Sequence, residues 1–192
     1  MGKDKLALRF PGGTVLSSSL YGALSFCARV ALVVAPERKD AAREAGGAAL
    51  SAALSEGRVV LVDSPRWREG MLRSVAEGLS ACVGTWCFVA PADLPLLRAE
   101  HYRSVALAIE ASRGEGYWPI AALASSGGVP AHPALLDRAG TLAIIGERSG
   151  ERLRPLLPAQ RCLAVDLRDP ATLADVDDEE AYRSALALAA LR

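Results

Sequence analysis

Two histidines and three lysines stand against nineteen arginines, and four cysteines are scattered without a CxxC pair. Only His101 and His132 could join those cysteines, so a zinc centre is not expected. Cys27, Cys82, Cys87 and Cys162 sit among apolar neighbours and read as reduced core thiols of a cytoplasmic protein. The formal net charge is +0, which argues against a broad nucleic-acid surface. No apolar run approaches the roughly 18 residues that span a bilayer, and the start, MGKDKLALRF, lacks the apolar core of a secretory signal. A myristoylation motif would need Ser or Thr where Leu6 stands. Serine triad, Walker loop and complete dinucleotide fingerprint are all missing, and Pro11-Gly12-Gly13 reads as a turn. With no repeats, low-complexity segment or linker, residues 1–192 are expected to form one domain, and 51% hydrophobic content suffices for its core.

What is present alternates. Residues 5–10 are a short apolar segment. Thr14 is placed to cap a helix running to about residue 28. Apolar runs at 30–34, 59–62 and 86–90 read as buried strands. Helical stretches at 38–54, 70–81 and 97–113 separate or follow them. This rhythm predicts a mostly parallel α/β sheet with residues 86–90 as a central strand. Beyond it, strands are expected at 117–124 and 161–165, a short helix at 151–157 and a final helix at 179–191. His132 falls in a proline-flanked segment between them.

Residues 86–97, WCFVAPADLPLL, form the pivot of the chain. Ligands of open α/β sheets bind beyond the carboxyl ends of strands, and Asp93 lies at that edge between Pro91 and Pro95. A carboxylate there suits a hard cation such as Mg²⁺, which clamps substrate phosphates. It equally suits a turn, or the cap of the next helix.

The order of landmarks resembles the MobA-like NTP transferases, most of all their molybdenum-cofactor cytidylyltransferase branch. Met1-Gly2-Lys3-Asp4-Lys5 matches the end of that family's L-x-A-G-x-S-x-R-M-G-x-x-K loop. Gly70-Met71-Leu72-Arg73-Ser74 matches G-M-x-x-S, and Ala92-Asp93-Leu94-Pro95 matches G-D-M-P with Gly and Met replaced. Ala131-His132-Pro133 stands for G-H-P, and the segment from Gly146 to Arg152 for G-D-x-G-A-R. Asp175-Val176-Asp177-Asp178-Glu179-Glu180 stands for the late acidic stretch. Ser64 replaces the usual Asn before Pro65.

The resemblance implies a three-layer, Rossmann-like nucleotidyltransferase fold of the GT-A type. It implies transfer of CMP or GMP from CTP or GTP to a phosphorylated acceptor such as a molybdopterin. Lys5 would neutralise the phosphates. Asp93 would hold Mg²⁺, with Asp175 or Asp177 as a second carboxylate. Gly70, Met71 and Ser74 would line the nucleotide or acceptor side. His132 would face the acceptor, and Arg152 would bind its phosphate. Each residue also has an ordinary reading: exposed lysine, turn aspartate, acidic helix start, core methionine, buried structural histidine, surface arginine.

The family's first strand and its L-x-A-G-x-S-x-R loop, whose backbone N–H groups cradle the triphosphate, have no counterpart in this sequence. The resemblance therefore implies weak nucleotide binding and slow transfer by these 192 residues. Two other functions stay open: a non-catalytic relative acting as a binding or scaffolding module in molybdoenzyme maturation, and a sugar-nucleotide pyrophosphorylase on the same fold.

Overall fold

The computed structural model describes residues 4–114, 118–150 and 152–192, without the side chains of 113 and 114. The expected boundaries at Tyr117 and Glu151, and Met1, Gly2 and Lys3 of the first motif, lie outside them. A 3-10 turn, Lys5–Ala7, is capped by Asp4 and leads into a small hairpin of β1 (Arg9–Phe10) and β2 (Gly13–Thr14). Thr14 and Ser17 then close a reciprocal capping box on α1 (Val15–Leu24). β3 (Val30–Val34) and β4 (Val59–Asp63) are rich in β-branched residues and pair in parallel, joined by alanine-rich α2 (Lys39–Ser55). α3 (Met71–Ala81), β5 (Trp86–Val89) and α4 (Ala99–Gly114) complete the alternation.

The α/β class expected from the sequence holds, but the sheet is mixed and β5 is not central. β5 ends a four-stranded ladder of order β5-β7-β6-β8, with β6 at Ala121–Ser126, β7 at Val129–Asp137 and β8 at Cys162–Asp166. β5 and β6 both run antiparallel to β7, and β6 is parallel to β8. The reason is local. Gly127 and Gly128 both take positive φ (57° and 83°), the geometry of a two-residue hairpin turn. Such a turn returns β7 beside β6, where it inserts between β6 and β5. Pro130 and His132-Pro133 are tolerated because the β6–β7 register shifts between Leu123 and Ser125, interrupting the ladder there. Among the described residues, β3–β4 and the four-stranded ladder share no strand pairing.

α5 (Arg138–Ile145), which the periodicity did not foreshadow, follows β7 and is capped by Asp137. α6 (Leu153–Leu156) is shorter than expected, and α7 (Glu179–Ala189) closes the chain, with Asp178 as its cap. α1 approaches the segment after β5 so closely that a Cβ on Gly22 would lie 2.0 Å from the Leu97 carbonyl oxygen. Leu94, Leu97 and Tyr102 are buried there against Ala23, Cys27 and Phe88. That packing fixes the loop that carries Asp93. Among the described residues, no helix is long and apolar enough to cross a membrane.

Candidate active site

Two distant segments converge on the loop after β5. Val176 N–H donates to the Asp93 carbonyl at 3.0 Å, binding the loop before α7 to the loop after β5. Val176 is fully buried, so the residues on either side of it are set in place at the surface. From the other side comes Lys5. The Asp4 carboxylate accepts from Leu6 N–H at 3.2 Å and pairs with Arg38 at 2.6 Å, while Leu6 packs into the core.

The Lys5 ammonium stands 2.5 Å from Asp93 Oδ2 and 2.7 Å from Asp177 Oδ1. The two carboxylates, 84 positions apart in the sequence, are therefore separated by no more than one shared cation. Burial works against the charge on Lys5, but the bonds to Asp177 and Asp93 outweigh it and raise its pKa above the usual lysine value. The bond to Lys5 in turn holds Asp177 below the usual carboxylate range. Asp175 is pushed the other way, by burial and by the negative charges of Asp177 and Asp93.

Asp93 is not a helix cap. Its side chain turns to Lys5, and its second oxygen, Oδ1, is buried without a hydrogen-bond partner. A buried, half-satisfied carboxylate is costly unless something completes it. Beside it lies a cavity of about 150 Å³ lined by Pro91, Leu94, Pro130, His132, Thr172, Leu173 and Asp175. His132 is half-buried, and burial lowers its pKa and so favours the neutral imidazole, against an opposing hydrogen bond with the Val89 backbone. Its Nδ1 also lacks a partner.

Gly70 and Ser74 belong to a second cluster. Gly70 takes φ 106° at the start of α3 and packs on Gly150, whose N–H donates to Glu69 O at 2.7 Å. Ser74 Oγ meets buried Ser64 Oγ at 3.0 Å. Arg73, buried in the same turn, donates to the carbonyls of Gly146 and Arg148. Nothing in the sequence singled it out from the other arginines. Met71 is 75% exposed, so the core-methionine reading is wrong. Arg152 is exposed and, among the described residues, has no side-chain partner. No hydrogen bond or ion pair among the described residues joins this cluster to Lys5, Asp93 and Asp177.

Two carboxylates converging at a strand's carboxyl edge are a donor set for a hard divalent ion. Such ions take one or two carboxylates and complete their shell with phosphate and water. Among the described residues no third His, Cys, Asp or Glu converges to make a closed protein cage, and the orphaned Asp93 Oδ1 fits this open arrangement.

Residues 1–166 match the MobA-like NTP transferase domain family. The molybdenum cofactor cytidylyltransferase of Escherichia coli (strain K12) is 24% identical over 185 residues, covering 96% of this chain and 88% of that protein. The 2-C-methyl-D-erythritol 4-phosphate cytidylyltransferase of Thermus thermophilus superposes with a TM-score of 0.69 at 16% identity, covering 98% of this chain and 95% of that one. A Mycobacterium tuberculosis H37Rv protein solved in complex with manganese superposes at 0.68 with 22% identity, covering 97% and 93%. The fold is that of the α/β nucleotidyltransferases.

Proposed function

This chain belongs to the MobA-like NTP transferase family, and from that premise we propose that it transfers a nucleotidyl group from CTP or GTP to a phosphorylated, pterin-type acceptor. Similarity to the E. coli molybdenum cofactor cytidylyltransferase puts CTP and a molybdopterin acceptor first. The observation that carries the reading is the Lys5 ammonium bridging Asp93 and Asp177 beside an unpartnered Asp93 oxygen.

In the step proposed, an acceptor phosphate oxygen attacks the α-phosphorus. The bond from that phosphorus to the bridging oxygen breaks, and pyrophosphate leaves with the electron pair. Asp93 and Asp177 would hold Mg²⁺, which supplies charge neutralisation on the phosphates when bound. The manganese complex of the mycobacterial relative supports a divalent ion at such a fold. Asp175 lies close enough to adjust the negative charge around that position. Lys5 takes up charge developing on the leaving pyrophosphate, a stabilisation realised in the transition state.

His132, neutral and with a free Nδ1, orients the acceptor from the cavity wall. Gly70, Ser74 and the exposed Met71 would border the nucleotide or acceptor, and Arg152 would pair with an acceptor phosphate. No covalent enzyme intermediate is required, so positioning and charge do the catalysis.

Pyrophosphate release, measured with CTP or GTP, Mg²⁺ and a molybdopterin acceptor, tests the reading. Release that depends on both nucleotide and acceptor is expected, faster with CTP. Tight acceptor binding with no release under any nucleotide would overturn it in favour of a non-catalytic binding module.

A further inference from the structure

We propose, resting on the reading of Asp93 and Asp177 as cation ligands, that Lys5 is a tethered competitor for the divalent cation. Its ammonium holds the cation position in the free protein and leaves when nucleotide phosphates offer it another partner.

The geometry requires exclusion. An ammonium 2.5 Å from Asp93 Oδ2 and 2.7 Å from Asp177 Oδ1 fills the space between the two carboxylates. Mg²⁺ binds oxygens at about 2.1 Å, so it cannot enter that space without displacing Nζ. The tether is firm at the backbone and loose at the tip. Asp4 caps the Lys5–Ala7 turn and pairs with Arg38, and Leu6 is packed in the core. The lysine side chain itself is 36% exposed, on a flexible four-carbon stem.

The lysine is also an incomplete occupant. It leaves Asp93 Oδ1 buried and without a partner, and one positive charge faces two negative ones. A divalent ion matches both charges. Phosphates that attract Lys5 therefore open the cation position, and a cation seated there frees Lys5 for phosphate. Nucleotide and cation then bind cooperatively, each raising the affinity for the other by the same factor. Cation binding to the free protein is correspondingly weak.

The test is Mn²⁺ binding without nucleotide, read from the electron paramagnetic resonance signal of free Mn²⁺. Lys5→Met keeps the stem and removes the charge. It should bind Mn²⁺ about 10- to 100-fold more tightly than wild type, the worth of the charge-assisted hydrogen bonds removed, and the gain should vanish in the double variant Lys5→Met/Asp93→Asn. Equal affinity of wild type and Lys5→Met, abolished in both by Asp93→Asn, would overturn the competition while leaving the cation site standing. No Asp93-dependent Mn²⁺ binding in either would overturn both. A second measurement covers a variant that fails to fold. With three lysines in the chain, wild type carrying ¹³C-labelled lysine can be titrated with Mg²⁺, and the Lys5 Cε signal should move to the position of a free lysine. A Lys5 signal unmoved at saturating Mg²⁺ would contradict the proposal.

Discussion

Two of the charge clusters among the described residues use their cations differently. At the carboxyl edge of β5, Lys5 serves two side-chain carboxylates from separate segments, and one carboxylate oxygen is left over. At the start of α3, Arg73 serves the backbone carbonyls of Gly146 and Arg148, which hold the loop leading to Gly150 against Gly70. Any cation of suitable size can replace an ammonium between carboxylates. Arg73 reaches both carbonyls from one terminal nitrogen, Nη2, whose position is fixed by the length of a buried guanidinium side chain. On the proposal made for Lys5, the first cluster serves exchange, whereas the second holds the shape of a loop.

The sharpest way to break this comparison is through activity. Asp93→Asn removes charge without changing size and should lower nucleotidyl transfer by about 10²–10³-fold, the usual cost of one electrostatic group in such a site. The urea midpoint should stay close to wild type, because the exposed bond from Lys5 to Asp177 survives. A fall in stability with activity retained would make the first cluster structural as well.

Arg73→Ala should do the reverse. Losing charge-assisted bonds from a buried guanidinium costs about 1.5–3 kcal/mol, seen as a lower urea midpoint with unchanged slope. Arg73→Lys should recover only part of it, since the shorter lysine stem stops short of the Nη2 position that reaches both carbonyls. Full recovery by lysine would erase the distinction between the clusters.

The smallest effect expected is at Glu147, which pairs with Arg66 at 3.2 Å and lies 3.8 Å from Arg73 with its side chain 89% exposed. Glu147→Gln should change stability by less than about 0.5 kcal/mol. A larger loss would mean that the ion pairs, and not the carbonyl bonds, hold the loop.

The same contrast explains what could be read from the sequence. β3, β4 and β5 are legible because short runs of β-branched and aromatic residues bounded by turns have few other solutions. β7 was hidden because Pro130, His132 and Pro133 break the strand pattern, and only the register shift against β6 shows why they fit. With β7 unseen, β5 was expected at the centre of a parallel sheet, whereas it borders an antiparallel partner. α5 was hidden by its glycine, threonine and two isoleucines, weak helix formers that tertiary packing overrides. Asp93 was suggested by its place after a strand. Its approach to Asp177 rested on motif order alone, since no local pattern couples residues so far apart. The capping role of Asp178 is what separates it from its acidic neighbours: it is spent on Ala181 N–H, leaving Asp177 free to meet Lys5.

The central claim is that Asp93 and Asp177 jointly hold the cation that accompanies the nucleotide. Its most direct test is the affinity of the protein for Mn²⁺-loaded CTP, measured by calorimetry on wild type, Asp93→Asn, Asp177→Asn and the double variant. Each single change should weaken binding about 10-fold or more, and the double change should cost less than the two combined, because both ligate one ion. Equal affinity across all four proteins would contradict the claim.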